Sequence, residues 1–302
     1  MRLSTVISSD AHQEHIKKKG IFLDILFEPF LFLFMQQGFL ILVAVSIPTA
    51  ILSCFIVLKG WALIGDAISH SVLPGVVLAY IWGFSFALGG FLAGLACALL
   101  TGFLTENSRL KEDTVMGLVF SIMFALGIVL ISRIETTVHL DHILFGDLLG
   151  LSWRDVLESF GLASLVLVLL FMFGRNLVLY IFDSVHASVA GLSNRLLHYG
   201  LLSILCVTVV GALKAVGMIL VIAMLITPGA ISYLLTKRFQ SMIVLSVAIS
   251  VGCSFLGIYL SFFLDSAPAP TIICVFTLFF IATFLVKSWK NKTFNGSEEV
   301  RA

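Results

Sequence analysis

Residues 62–75 read Ala62-Leu63-Ile64-Gly65-Asp66-Ala67-Ile68-Ser69-His70-Ser71-Val72-Leu73-Pro74-Gly75, and they place an acid and an imidazole inside an apolar segment. On a helix, residues four apart project from one face about 6 Å apart, so Asp66 and His70 are spaced to bind a single metal ion. A carboxylate oxygen and an imidazole nitrogen suit zinc, manganese or iron(II). The structural alternative is that Asp66 bonds to Ser69 or to a neighbouring helix and that His70 is a neutral polar contact. Because an ionisable group in a bilayer costs at least about 2.5 kcal/mol, the pattern favours function.

The composition outside this stretch predicts a membrane protein. Of 302 residues, 60% are hydrophobic and 12% are charged, and the mean hydropathy is +1.12. A net charge of +1, without a long run of one sign, argues against nucleic acid as a partner. The five cysteines are odd in number and never form a C-x-x-C pair, so they are interpreted as small apolar residues.

Apolar segments along the chain predict an all-α, polytopic fold with about eight or nine transmembrane helices. Pro74 with Gly75, and Pro228 with Gly229, predict two broken helices that line a site at mid-membrane. A stripe of small residues at four-residue spacing, Gly90, Gly94, Ala98 and Gly102, predicts close helix packing. The predicted spans are about 37–58, 62–82, 84–104, 115–132, 157–181, 196–213, 216–235, 243–264 and 271–286.

The chain divides into one membrane domain with two polar ends. We expect a flexible tail over 1–20, a single transmembrane domain over 21–286 that begins with an interfacial helix, and a polar tail over 287–302. The polar connection 182–195 carries small residues at helical spacing and predicts a short exposed helix.

The distribution of Lys and Arg predicts the orientation. With nine spans and the N-terminal side outside, most cations face the cytoplasm, and Asp66 lies about 10 Å and His70 about 16 Å along its span. The connection 133–155 is then external, and its His139, Asp141 and His142 either pass a cation toward the pore or belong to an ordinary hydrated loop. The predicted cytoplasmic cations are Lys59, Arg109, Lys111, Arg195, Lys237, Arg238, Lys287, Lys290 and Lys292.

The run 57–75, which contains Gly-Asp-Ala-x-Ser-His-x-x-x-Pro-Gly, closely resembles the signature of the bacterial zinc/manganese/iron-type ABC transporter permeases. Residues 26–30, 144–147, 216–221 and 227–230 are also similar to that family. Two positions depart from it, since Pro228-Gly229-Ala230 stands where many members have Pro-Ala-Ala, and 265–270 lacks a Gly that often precedes the second Pro.

The resemblance implies a multi-pass permease of the bacterial cytoplasmic (inner) membrane, surrounded by lipid and without a permanently bound cofactor. Its partners would be a second permease subunit, identical or related, a cytoplasmic ABC ATPase, and an extracytoplasmic metal-binding lipoprotein or periplasmic protein. Asp183, Ala187 and Gly191 match the family's Asp-x-x-x-Ala-x-x-x-Gly pattern and imply a coupling helix for the ATPase. The chain has no G-x-x-x-x-G-K-[ST] loop, so we expect ATP to be hydrolysed elsewhere and the chain itself to be no enzyme.

The expected function is import of a divalent manganese, zinc or iron ion that passes transiently between Asp66 and His70. Two such pairs across a two-fold or pseudo-two-fold interface would supply two nitrogens and two oxygens. Because His70 must be neutral to bind, acid should weaken transport. Two alternatives stay open: an ABC permease for a chelated metal or vitamin, and a secondary ion-coupled cation carrier. A membrane metalloprotease is disfavoured because no H-E-x-x-H occurs.

Overall fold

The apolar runs fold into long helices joined by short connections. The computed structural model describes residues 28–132, 148 and 150–299. All helices of the described chain except α6 are long and apolar enough to cross a membrane, nine in total, which confirms the all-α, polytopic fold class. After a 3₁₀ turn, Glu28–Leu31, the helices are α1 (Leu33–Lys59), α2 (Ile64–Trp82), α3 (Phe86–Asn107), α4 (Glu112–Ser132), α5 (Trp153–Phe182), α6 (Ser184–Val189), α7 (Asn194–Val216), α8 (Met218–Leu235), α9 (Phe239–Leu264) and α10 (Pro268–Glu299).

Short connections make successive spans run up and down the bundle. The connections 60–63, 108–111, 183–193 and 236–238 therefore lie at one end, which we call the α6 end. Two contacts agree with this arrangement: Trp61 bonds to Glu112, and Lys287 near the end of the last span bonds to the carbonyl of Leu234. Predicted features over 1–27, 133–147 and 149 lie outside the described residues, including His139, Asp141 and His142.

Two helices, α1 and α8, meet closely at the centre of the bundle. The Ser53 hydroxyl of α1 donates to the Ile226 carbonyl at 3.1 Å and accepts from the Gly229 amide at 2.8 Å. A Cβ atom added to Gly229 would lie 2.6 Å from the Ser53 carbonyl oxygen. This contact explains why the chain has Pro-Gly-Ala rather than Pro-Ala-Ala at 228–230.

The helix that carries Asp66 and His70 is held against α3 by glycine. A Cβ atom added to Gly75 would lie 2.5 Å from the Cβ of Ala93, and one added to Gly89 would lie 2.5 Å from the Cβ of Ala79. The two helix backbones can therefore approach each other only because both positions lack a side chain.

The small-residue stripe on α3 packs as predicted. Cβ atoms added to Gly90, Gly94 and Gly102 would lie 2.9 Å from Val72, 2.9 Å from the Cys206 sulfur and 2.7 Å from Tyr199, respectively. The stripe thus faces α2 at one end and α7 at the other.

The predicted breaks at Pro74 and Pro228 are wrong. Helix α2 continues from Ile64 to Trp82 and α8 from Met218 to Leu235, with each proline inside. A proline lacks the amide hydrogen that would bond to the carbonyl four residues earlier, whereas residues in the neighbouring turns keep their backbone hydrogen bonds. Close packing of Gly75 on α3 and of Gly229 on α1 holds both helices together through these positions.

We expect Gly89→Ala to lower the free energy of unfolding by about 1–3 kcal/mol, because the added methyl group forces α2 and α3 apart. Thermal unfolding of the purified protein in detergent measures the effect. The matched control is Gly161→Ala on α5, where an added Cβ atom meets nothing within 4 Å. An equal loss of stability in both variants would contradict the proposed role of the glycine contact.

Candidate metal-binding site

Asp66 and His70 lie one turn apart near the start of α2, and both side chains are half-buried. The Nδ1 atom of His70 is buried and has no hydrogen-bond partner in the described part of the chain. A buried ring nitrogen without a partner is costly unless something binds it. The pair is therefore available for a ligand and is not consumed by internal contacts.

Ser69 does not form the hydrogen bond to Asp66 that a purely structural role of this carboxylate would use. Its hydroxyl oxygen is buried and has no hydrogen-bond partner among the described residues, so it does not bond to Asp66. Ser71, in contrast, donates to the Ile68 carbonyl at 2.6 Å, as hydroxyl groups in membrane helices commonly do.

Two phenyl rings of α4 hold the His70 imidazole. Its ring centroid lies 4.8 Å from that of Phe120 and 4.9 Å from that of Phe124, edge to face in both cases. The two phenyl rings stack on each other at 5.9 Å. No sequence motif pointed to these rings, although Phe120, Phe124 and the tightly packed Gly127 recur at helical spacing along α4.

Within the described residues, Asp66 and His70 are too few ligands to hold a metal ion by themselves. Across the described residues, no group of three or more His, Cys, Asp or Glu side chains is close enough to do so. Zinc in structural sites takes four ligands, and manganese or iron takes more when water is included. Asp66 and His70 alone therefore supply fewer donors than any of these ions takes.

A buried tryptophan anchors the turn that leads into Asp66. Trp61 has no exposed surface, and its indole N–H donates to the Glu112 carboxylate at the start of α4. Its ring meets the edge of His198 on α7, with the ring centroids 5.2 Å apart. Trp61 therefore joins the entry to α2 to two other helices.

The same cluster reaches α5. His198 Nδ1 and the Tyr180 hydroxyl are hydrogen-bonded at 3.1 Å, and both residues are buried. The Lys59 ammonium lies 4.7 Å from the Tyr180 ring centroid and 5.9 Å from that of Trp61, within the range of cation–π attraction. We call Lys59, Trp61, Glu112, Tyr180 and His198 the Trp61 cluster.

Helix α6 is fastened to the two spans that it connects. The Asp183 side chain accepts from the His186 amide at 2.8 Å and caps the helix. The side-chain amide of Asn194 donates through Nδ2 to the Ser184 carbonyl at 2.9 Å and to the Ser188 hydroxyl at 2.8 Å. These hydrogen bonds therefore hold α6 against the start of α7, directly after the end of α5.

The three motif residues of this segment shape α6, and other residues form its outer face. Asp183 is the cap, Ala187 is fully buried, and Gly191 takes a left-handed φ of 81° that ends the turn. Val185 and Val189 are 73% and 80% exposed. The sequence pattern identified the helix but not these two apolar side chains, which four-residue spacing places on one side.

Comparison with known proteins places the chain among membrane transport subunits. The family described as "ABC 3 transport family" matches residues 31–287. The chain is 48% identical over 258 residues to the "Chelated iron transport system membrane protein YfeD" of Yersinia pestis, covering 85% of this chain and 87% of that protein. It is 40% identical over 282 residues to the "Manganese transport system membrane protein MntB" of Synechocystis, covering 91% and 92%. Among solved structures, "PsaBC from Streptococcus pneumoniae in complex with Fab" matches with a TM-score of 0.74 and 36% identity, covering 84% of this chain and 91% of the other.

We expect Trp61→Phe to lower the free energy of unfolding by about 1–3 kcal/mol, because it removes the N–H that donates to Glu112 and leaves space around a smaller ring. Thermal unfolding in detergent measures the change. Trp82→Phe is the matched control, since Trp82 is 65% exposed at the other end of α2. If both variants unfold at the wild-type temperature, the Trp61 cluster does not anchor α2.

Proposed function

The chain belongs to the ABC 3 transport family, and on that premise we propose that it is the membrane permease subunit of an ATP-driven importer for divalent transition-metal ions. The observation that carries the proposal is the Asp66 and His70 pair, half-buried one turn apart within a span, with an unpartnered ring nitrogen. A cation that loses its hydration water on entering the membrane would be coordinated by the Asp66 carboxylate and the His70 imidazole instead.

The ion meets a complete set of ligands only when a second permease supplies another pair. Two carboxylate oxygens and two imidazole nitrogens make a four-ligand site, which accepts waters for ions that prefer more ligands. Nitrogen donors disfavour Ca²⁺ and Mg²⁺, which take oxygen ligands. The names of the similar proteins, which refer to manganese and to chelated iron, support manganese or iron as the transported ion, and the donors also suit zinc.

Phe120 and Phe124 give the site its geometry. Packed edge to face with both phenyl rings, the His70 ring keeps one orientation before the ion arrives, which lowers the entropic cost of binding. The aromatic walls also limit water near the ion and strengthen its attraction to Asp66.

Energy for transport comes from an ATPase that docks on α6. The outer face formed by Val185 and Val189 supports this, since apolar side chains so exposed at the end of a helical bundle suit a protein partner. The ends of α5 and α7 carry any displacement of α6 through the Trp61 cluster into the first turn of α2. An extracytoplasmic binding protein delivers the ion on the opposite side.

The charges at the two ends support an orientation with α6 in the cytoplasm of a bacterial inner membrane. Most Lys and Arg residues of the described chain lie at the α6 end. The opposite end has Arg154 and Lys214, and Lys214 forms ion pairs with Asp155 at 2.5 Å and Glu158 at 3.3 Å. Topology follows the bias in Lys and Arg and not the net charge, so the larger number of these residues at the α6 end supports this orientation.

We expect Asp66→Ala and His70→Ala each to reduce uptake of the transported metal at least about tenfold, because each variant removes a ligand. Uptake of radiolabelled manganese, iron and zinc is measured in cells that carry the whole transporter, at matched membrane levels of permease. The metal whose uptake falls most identifies the substrate.

The control for that experiment is Asp265→Asn, which removes a carboxylate at the far end of α9. Asp265 has a left-handed φ of 48°, a conformation that asparagine also adopts. Wild-type uptake in both site variants would refute the proposed ion path.

We expect Val185→Ser combined with Val189→Ser to weaken the ATPase complex, so that less ATPase co-purifies and less ATP is hydrolysed per permease. The physical reason is the lost apolar area at the interface. Leu264→Ser is the matched control, because Leu264 is 65% exposed at the opposite end of the bundle. Equal ATPase recovery from the double variant and the control would show that α6 is not the docking site.

A further inference from the structure

A cavity at the α6 end is rimmed by three cations. It encloses about 530 Å³ between the connection 236–238 and the ends of α1, α5 and α10. Lys237, Arg238 and Lys287 lie on its rim, and all three are exposed. No ion pair of the described chain involves any of them, and Lys287 donates only to the Leu234 carbonyl. The rim therefore carries positive charge without an internal counter-charge.

The first turn of α9 adds amide donors to this rim. The helix begins at Phe239, and Arg238, the residue before it, makes no capping side-chain bond. The first amides of a helix have no partner within it, and they favour an anion beside them. Together with the three cations, they suit a phosphate group.

The floor and walls of this cavity are apolar. Leu58, Phe182 and Met242 contribute side chains, and Phe239 contributes a ring that packs edge-on to Phe182, with centroids 5.8 Å apart. A free phosphate gains nothing from such walls. A molecule that joins a phosphate to hydrocarbon uses both parts of the cavity.

A second, larger cavity adjoins the first. It encloses about 1140 Å³ along α1, α5 and α9, and Phe239 forms a wall of both. Its lining is mostly apolar, with Ile51, Phe171 and Ile243 among the side chains. Arg175 lies on its edge, seven residues or about 10 Å before the end of α5, close enough for its long side chain to reach the headgroup level. The two cavities share the Phe239 wall, and we call the pair, which extends from the basic rim along α5 and α9, the basic groove.

This groove is separate from the proposed ion path. The side chains around His70 come from α4, whereas the groove is lined by α1, α5 and α9 with the ends of α8 and α10. A ligand in the groove would therefore not compete with the transported ion.

We propose that this groove binds an anionic phospholipid, with its phosphate at Lys237, Arg238 and Lys287 and its acyl chains along α5 and α9. Basic pockets between transmembrane helices on the cytoplasmic side favour acidic lipid headgroups, and each cation near the surface adds to the attraction. The acyl chains of a zwitterionic lipid fit the apolar lining equally well, but its headgroup has no net negative charge to attract the three rim cations.

The test uses native mass spectrometry of the full-length protein in a neutral detergent, titrated with phosphatidylglycerol or with phosphatidylcholine of identical acyl chains. Wild type should retain phosphatidylglycerol about tenfold more tightly or better. Lys237→Gln with Arg238→Gln should remove that preference, and Lys237→Arg with Arg238→Lys should keep it. The matched control, Arg109→Gln with Lys111→Gln, neutralises two exposed cations at the same end and should bind lipid as wild type does.

Three results would overturn the proposal. If wild type retains phosphatidylglycerol and phosphatidylcholine equally, the rim cations do not select the lipid. An unchanged preference in the Gln double variant, or an equal loss in the Arg109 and Lys111 control, would show that bound lipid is held elsewhere. If inorganic phosphate or water-soluble glycerophosphoglycerol displaces the lipid at similar concentrations, the apolar groove contributes nothing and the site is one for soluble phosphate.

Discussion

The contact between the backbones of α2 and α3 at Gly75 and Gly89 is the constraint on which the rest of the site depends. In a bilayer, lipid tails are as apolar as the side chains, so burial of apolar surface does not drive helices together. Close packing must do so instead. Because neither glycine has a side chain, α2 packs closely on α3, and His70 lies beside the rings of Phe120 and Phe124 on α4. A bulkier residue at either position would displace the helix that carries both proposed ligands.

The α6 end and the proposed ion site are connected by buried polar contacts. Trp61 precedes Asp66 by five residues, and it contacts α4 through Glu112 and α7 through His198. Since Tyr180 of α5 bonds to the same histidine, both spans that flank α6 reach the entry to α2. Hydrogen bonds in an apolar surrounding are strong, and leaving one partner unpaired there is costly. The cluster therefore behaves as one unit, which is what a mechanical connection between α6 and Asp66 requires.

Two prolines lie inside continuous helices of this bundle, against their local tendency to end a helix. Pro74 and Pro228 each follow the pattern of a broken helix, yet both helices continue through them. An interior proline removes one hydrogen bond of the helix and crowds the carbonyl four residues earlier, but membrane helices tolerate it where neighbouring groups satisfy the freed backbone. In this bundle the neighbouring helix supports the backbone, as Ser53 does for the carbonyl of Ile226 and the amide of Gly229. Tertiary packing decided the outcome against the local preference.

The sequence by itself determined the membrane class, the nine spans to within a few residues, the Asp66 and His70 pair, and the short helix after α5. These follow from hydropathy and from helical spacing, which are local properties of the chain. Only the tertiary structure decided which residues surround the pair, that Ala187 faces inward while Val185 and Val189 face outward, and that Trp61 meets side chains from α4 and α7. The basic groove also belongs to this second group, because Arg175, Lys237 and Lys287 are far apart in the chain and come together only when α5, α9 and α10 pack. Spacing along one helix predicts which residues share a face, but the identity of the neighbour across that face depends on how the helices pack.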